Sequence, residues 1–353
     1  MSLRDETTEM RAGHALDVAR LVDYLACQVP EIRRGAVVRQ FRGGQSNPTF
    51  LIESDGRLFV LRKKPPGALL PSAHQVEREY QVMRALAGTG VPVPRMILLC
   101  EDASVIGTAF YVMEGIEGRV IRDLTLPELS PAERAATYRA MVETLAALHM
   151  VDWRAVGLEG FGKPSGYVAR QVVRWSKQYE ASRTHDIPAM DNVMGWLARH
   201  MPRDDEAAIA HGDFRLENMI LHPHQPRVLA VLDWELATIG HPLPDLAYNC
   251  LPYHVPANFP GIGGLKDMDF AATGIPSEAD YVAAYCARTG RAAIADWDYY
   301  LAFSLFRTAA ILQGVHARAL QKTASNANAL AVGKLATEAA EIAWQCALKD
   351  GRP

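Results

Sequence analysis

The sequence predicts an α+β protein whose strands come first and whose helices follow. Three observations carry this reading. Short apolar runs separated by turn residues recur between Val37 and Met113, the pattern of paired strands. From Pro127 onward the apolar spacing becomes helical. Within that second region lies one polar stretch, His211-Gly212-Asp213-Phe214-Arg215-Leu216-Glu217-Asn218, followed by Val231-Leu232-Asp233-Trp234-Glu235.

The elements follow in order. Residues 1–12 are polar and read as loose. Ala15 to Val29 carries Leu16, Ala19, Leu21, Val22 and Leu25 at helical spacing, and Pro30 ends it. Val37–Phe41 and Phe50–Glu53 are strands joined by Arg42-Gly43-Gly44-Gln45-Ser46-Asn47-Pro48. Glycines such as Gly43 and Gly44 let backbone approach a phosphate, and Ser46 can donate to it. Taken singly, such a turn equally suits a plain hairpin. Asp55-Gly56 turns the chain into a strand at Leu58–Arg62, and a helix runs from Pro71 to Leu86. Glu79 lies on one face of that helix, while Glu77, about 200° away, lies on another. Val91-Pro92-Val93-Pro94 is a stiff connector, and Arg95–Cys100 and Ala109–Met113 are strands. Pro131–His149 is a helix capped by Ser130, and further helices follow Gly166 and span Glu278–Arg288, Asp296–Leu312 and Leu330–Leu348. Asn258–Gly274, rich in Gly, Pro and Asp, reads as a long loop. The resulting organisation is a helical extension at residues 1–35, a strand-rich lobe at 36–115 and a mostly helical lobe at 116–353.

Composition narrows the partners. The 353 residues are 49% hydrophobic and 22% charged, with a formal net charge of −3, which suits a globular protein and disfavours broad nucleic-acid binding. Five scattered cysteines without a CxxC pair suggest a reduced, cytoplasmic protein without structural zinc. The first ten residues lack an apolar signal core, and no apolar run is long enough to cross a bilayer.

The polar stretch has the composition of a phosphoryl-transfer centre. Asp213 and Asn218 stand five positions apart across a tight loop, and Asp233 ends the apolar run Val228–Leu232. Phosphoryl transfer needs an acceptor held in line and divalent charge on the phosphate oxygens. Carboxylate and amide oxygens are the hard ligands Mg²⁺ prefers. Gly157 to Lys163 is near a Walker A loop, but Pro164 stands where Ser or Thr is required and no apolar strand precedes it. His222-Pro223-His224 sits between two apolar strands and reads as a hairpin turn, and His149 reads as structural.

HGDxxxxN followed by LDWE resembles the aminoglycoside phosphotransferase and choline kinase family, with its protein-kinase-like fold: two lobes, a small antiparallel-sheet N-lobe and a large, mostly helical C-lobe. Phe59-Val60-Leu61-Arg62-Lys63-Lys64-Pro65-Pro66-Gly67 and Gly160-Phe161-Gly162-Lys163-Pro164 are similar to the kinase domains fused to acyl-CoA dehydrogenases. The resemblance implies ATP and Mg²⁺ as cofactors. It makes Asp213 the catalytic carboxylate, Asn218 and Asp233 the metal ligands, and Arg62 the phosphate anchor paired with Glu79. Lys64, on the same strand face as Arg62, is the rival anchor. Met113 and Glu114 resemble the inter-lobe hinge, whose backbone would bond the adenine edge. Glu235 would assist at the metal or the acceptor. His211 and Asp245 would be structural, Asp245 capping a helix and bracing the catalytic region.

The resemblance implies a small molecule bearing a hydroxyl as the acceptor. Tyr167, Arg170 and Arg174 would line its pocket. Arg170 and Arg174 share a helix face and could receive an anionic substrate, although a solvated face is the more ordinary reading of such a pair. The only acidic run is Arg203-Asp204-Asp205-Glu206, which argues against a polycationic aminoglycoside. The narrower resemblance implies a hydroxyacyl-CoA-type metabolite. Aminoglycoside or choline-like acceptors, and a nucleotide-binding pseudokinase, are the alternatives.

Overall fold

Alternation of apolar and polar residues settles how the strands of this protein present themselves. The structure, a computed structural model, describes residues 3–14, 16–42, 47–65, 74–259, 262–321, 328–349 and 351. The chain begins with β1 (Thr7–Thr8), α1 (Val18–Gln28), β2 (Val37–Phe41), β3 (Thr49–Ser54) and β4 (Arg57–Lys63). Next come α2 (Val76–Leu86), β5 (Met96–Cys100), α3 (Ala103–Ile106), β6 (Phe110–Glu114), α4 (Pro131–Met150), α5 (Tyr167–Ser182) and α6 (Pro188–Arg199). Short strands β7 (Ala208–Ala210), β8 (Met219–Leu221), β9 (Val228–Val231) and β10 (Thr238–Gly240) follow. The last helices are α7 (Leu243–Asn249), α8 (Phe270–Thr273), α9 (Glu278–Thr289), α10 (Trp297–Leu320), α11 (Ala329–Gly333) and α12 (Leu335–Lys349).

The chain folds into two compact units. One contains Met1–Ile121, Arg154–Leu158 and Leu216–Ala237; the other contains Arg122–Trp153, Glu159–Arg215 and Thr238–Pro353.

The first unit holds a six-stranded antiparallel sheet in the order β1-β2-β3-β4-β6-β5. Alternate residues Phe50 and Ile52, Phe59 and Leu61, and Phe110 and Val112 face one side, where they bury Leu21 and Leu25 of α1 with Val29 and Ile32. Each such side chain contributes about 1.5–3 kcal/mol on burial. The intervening positions put Arg62 beside Tyr111 on the other face. The N-terminal residues, read as loose, instead extend this sheet: Thr7 and Thr8 pair with Phe41 and Gln40, and Arg4 bridges to Glu53 at 2.6 Å. The first helix starts at Val18 rather than Ala15, because the Asp17 side chain caps it by accepting from the Arg20 amide. Two-stranded β8–β9 also belongs to this unit.

The second unit is helical apart from the β7–β10 pair. Its α4 opens on a capping box, in which Ser130 and Glu133 exchange backbone and side-chain bonds. Helix α10 runs to Leu320, beyond the expected end at Leu312. Tyr299, Tyr300, Leu301, Phe303, Leu305 and Phe306 are all buried, so it is apolar around its circumference and its packing against α5, α6, α7 and α12 overrides Gly314. The expected single helix at Leu330–Leu348 is divided at Lys334, where α11 ends and α12 begins after one residue. A Cβ on Gly333 would stand 2.5 Å from the His316 Cβ, so only glycine permits that approach.

Candidate active site

Strand β4, helix α2 and the loop after β9 bring four charged side chains of the first unit together. Arg62 is 14% exposed and Glu79 1%. The Arg62 Nε lies 3.2 Å from Glu79 Oε2, its Nη2 donates to Asp233 Oδ1 at 2.8 Å, and it stands 3.6 Å from Glu235 Oε2. Glu79 also accepts from Asn47 Nδ2 at 3.0 Å and from the Tyr111 hydroxyl at 3.1 Å. Burial drives its carboxyl upward, Arg62 pulls it back, and the charges of Asp233 and Glu235 push it up again, leaving it at about 7. Burial alone would lower Arg62, but the three surrounding carboxylates and Tyr111 hold it firmly protonated.

Lys64, the rival anchor, is ion-paired with Glu77. Lys63 points to the opposite face and is buried there, which lowers its pKa. Gly43, Gly44 and Ser46 lie outside the described residues.

Asp233 adopts a left-handed backbone, φ 65° and ψ 56°, a conformation that Asp tolerates better than most residues and that functional loops often retain. The Leu232 amide, immediately before it, donates to the Asn218 carbonyl at 2.8 Å. Register between Met219 and Val231 continues that pairing, so Asn218 and Asp233 stand at one end of the β8–β9 hairpin. Their amide and carboxylate oxygens, with Glu235 nearby, fit a hard divalent cation. Among the described residues no group of three or more His, Cys, Asp and Glu side chains is placed to hold a metal ion, so a divalent cation at Asn218 and Asp233 would take the rest of its ligands from phosphate oxygens and water.

At the expected hinge, Met113 is buried and Glu114 exposed. The Glu114 amide already donates to the Arg95 carbonyl at 2.9 Å and the Gly115 amide to the Leu58 carbonyl at 2.8 Å. An adenine edge there must therefore use other backbone groups.

In the second unit, Asp213 sits in a loop whose backbone is fixed from three directions. Asp245 accepts the His211 and Gly212 amides at 2.5 and 2.7 Å. Arg307 donates to the Gly212 carbonyl at 2.8 Å, and Asn249 donates to the Phe214 carbonyl at 3.0 Å. Gly212 has φ 83°, which favours glycine. His211 Nδ1 accepts the Asp213 amide at 3.2 Å, a bracing contact. Burial raises the Asp245 carboxyl, but bonds from His149 and the His211 amide and the nearby imidazoles bring it net below its ordinary value. His149 also bonds the Tyr285 hydroxyl at 2.7 Å. Finally, the Tyr248 hydroxyl donates to Asp213 Oδ1 at 2.6 Å. Burial, then the Asp213 charge, raises this phenol's pKa, so it stays a donor.

The sequence profile of the phosphotransferase enzyme family, APH, matches residues 37–303. The chain belongs to this family. As a member it is a phosphotransferase. Acyl-CoA dehydrogenase family member 10 of Mus musculus is 51% identical over 312 residues, 88% of this chain and 29% of that protein. The chain spans less than half the length of the acyl-CoA dehydrogenase relatives it matches. A crystal structure from Ralstonia eutropha JMP134, provisionally assigned as an aminoglycoside phosphotransferase, is 50% identical, has a TM-score of 0.87 and covers 95% of this chain and 99% of its own. Aminoglycoside phosphotransferase APH(4)-Ia, solved with AMP-PNP and hygromycin B, has 15% identity and a TM-score of 0.60, over 92% of this chain and 98% of its own. That likeness shows the shared kinase-like fold.

The remaining expected residues are distributed differently. Tyr167 is buried with its ring against Gly240, where a Cβ would come within 2.6 Å of the ring. Arg170 is exposed and donates to the carbonyls of Lys163 and Ser165. Arg174 is exposed beside Trp175, its Cζ 5.7 Å from the ring centroid. In the Walker-like stretch, Gly162 approaches β10 so closely that a Cβ would stand 2.5 Å from the Ile239 amide, which gives this glycine a packing role. Tyr248 and Arg307 were not foreseen. Tyr248 follows Asp245 by three positions and had a local signal, but Arg307 lies 95 positions from the Gly212 it contacts.

Proposed function

We propose that this chain transfers the γ-phosphate of ATP, with Mg²⁺, to a hydroxyl of a small metabolite of the hydroxyacyl-CoA type. The observation that carries the proposal is Arg62, held by Glu79 on one side and facing Asp233 and Glu235 on the other. A fixed guanidinium facing carboxylates suits a site that receives phosphate together with a divalent cation. AMP-PNP in the APH(4)-Ia complex supports a nucleotide as the phosphate donor.

Arg62 would hold the α/β phosphates; Lys64, engaged by Glu77, is the weaker candidate. Asn218 and Asp233 would hold Mg²⁺, which supplies charge neutralisation at the phosphate oxygens. Asp213 would orient the acceptor hydroxyl and take its proton as the new O–P bond forms and the bond to the ADP oxygen breaks. Tyr248 keeps the Asp213 carboxylate in place during that transfer.

The acidic run supports an acceptor that is not polycationic, because its members serve the fold. Asp205 accepts the Gly166 amide at 2.7 and 2.8 Å, Glu206 pairs with Arg291, and Asp204 lies 3.9 Å from His241.

Thermal-shift measurements test the reading. MgATP should raise the apparent stability, and a hydroxyacyl-CoA added with MgADP should raise it further and be phosphorylated by MgATP. No shift with MgATP, confirmed by direct titration, would overturn it. Phosphorylation of kanamycin in preference to every acyl-CoA would overturn the acceptor class.

A further inference from the structure

Beside Asp213, the second unit carries a cation whose partners do not account for its charge. The Arg307 guanidinium stands over two rings, with its Cζ 5.5 Å from the Trp175 centroid and 5.3 Å from the Tyr248 centroid. One of its nitrogens bonds the Gly212 carbonyl. Among the described residues no carboxylate comes within ion-pair distance of it. Its Nε is buried without an acceptor, and so is the Trp175 indole nitrogen. Two orphaned donors on adjacent side chains are costly unless something supplies acceptor atoms. The Tyr248 ring ties this group to Asp213, to which its hydroxyl donates. Arg174, whose Cζ lies 5.7 Å from the Trp175 centroid, adds a second guanidinium.

We infer that Arg307 and the Trp175 indole N–H form an anion anchor for the phosphate acceptor, which is therefore a hydroxyl compound that also bears a carboxylate or phosphate. The inference rests on the reading of Asp213 as the acceptor-side carboxylate. A planar guanidinium packed against two aromatic rings keeps its charge and its donor geometry, which suits bidentate recognition of such oxygens. Charge-assisted bonds of this kind would sort acceptors by charge before any contact with the rest of their structure.

The test is calorimetric titration of the full chain in saturating MgADP. The probes are 4-hydroxybutanoate, 4-hydroxybutyl phosphate, 4-hydroxybutanoyl-CoA, the neutral 1,4-butanediol and kanamycin. Wild type should bind at least one anionic probe more tightly than the diol. Arg307→Gln should weaken that probe by about 10-fold or more, a hydrogen bond to a charged group being lost, with MgADP affinity unchanged. Trp175→Phe keeps the ring and removes the N–H, so it should weaken the same probe by a smaller factor without loss of thermal stability. The carboxylate and phosphate probes tell which oxyanion is preferred. Equal affinity of the anionic probes for wild type and Arg307→Gln would overturn the inference. So would binding confined to the diol or kanamycin, or MgADP binding with no anionic probe bound. If MgADP fails to bind but the anionic probe binds in an Arg307-dependent way, the anchor stands and the kinase reading falls.

Discussion

Two buried carboxylates, Glu79 in the first unit and Asp245 in the second, are shifted in opposite directions. Both lose their hydration. Asp245 recovers it from two backbone amides and His149, all donors that belong permanently to the fold. Glu79 receives Arg62, Asn47 and Tyr111, yet Asp233 and Glu235 crowd the same guanidinium. Around Asp245 the partners are mostly donors fixed by the fold; around Arg62 three carboxylates share one guanidinium. The contrast separates a backbone brace from a cluster of competing charges.

The largest effect should come where the braced loop meets chemistry. Asp213→Asn should lower turnover by about 10²–10⁴, the usual worth of a general base, while MgATP still binds. Unchanged turnover on a verified acceptor would remove Asp213 from its assigned role. Next comes the crowded cluster. Arg62→Met leaves Glu79 buried without its cation, and breaking such a pair costs about 3–5 kcal/mol. Adding Glu79→Gln should restore much of that stability in urea denaturation, yet leave MgATP binding impaired. Recovery of both together would mean that Arg62 acts only as a structural partner.

Asp245→Asn should cost about 3 kcal/mol, since an amide cannot accept both backbone donors and charge-assisted bonds are worth about 1.5–3 kcal/mol each. Turnover should fall with it, because the His211–Asp213 backbone loses its support. A variant as stable as wild type would show that Arg307 and Asn249 suffice to hold the loop.

How much of this was legible beforehand depends on the range of the interaction. The strand at Val37–Phe41 is legible to the residue from a local periodicity in a regular element. The α+β class followed from the same signals. The pairing of Arg62 with Glu79 comes from the family resemblance, and helix phase adds only that Glu79 and Glu77 lie on different faces. Helix α6 was missed, as was the full length of α10, because Gly314 and polar neighbours mask a helix that tertiary burial sustains. Thr7–Thr8 gave no strand signal, since edge pairing to β2 is decided by a partner some thirty positions away. Arg307 was invisible for a similar reason: its partners Gly212, Trp175 and Tyr248 come from three other segments. Asp245, by contrast, was reached through the family pattern and not through periodicity.

The smallest expected effect isolates the comparison most directly. A carboxyl whose folded value lies below its unfolded value stabilises above the unfolded value and loses that contribution as pH falls through the folded one; Asp245 is of this kind. Glu79, raised to about 7, is the reverse. Its protonated form is favoured by folding, so its contribution is full below the unfolded carboxyl value of about 4.3 and is lost as pH rises through about 7. Urea denaturation at pH 5 and pH 8 should therefore show wild type losing more stability at the higher pH than Glu79→Gln, whose amide does not titrate. Other titrating groups act on both proteins alike and cancel in that difference. Parallel behaviour of the two would mean that Arg62 alone satisfies Glu79, as the brace satisfies Asp245.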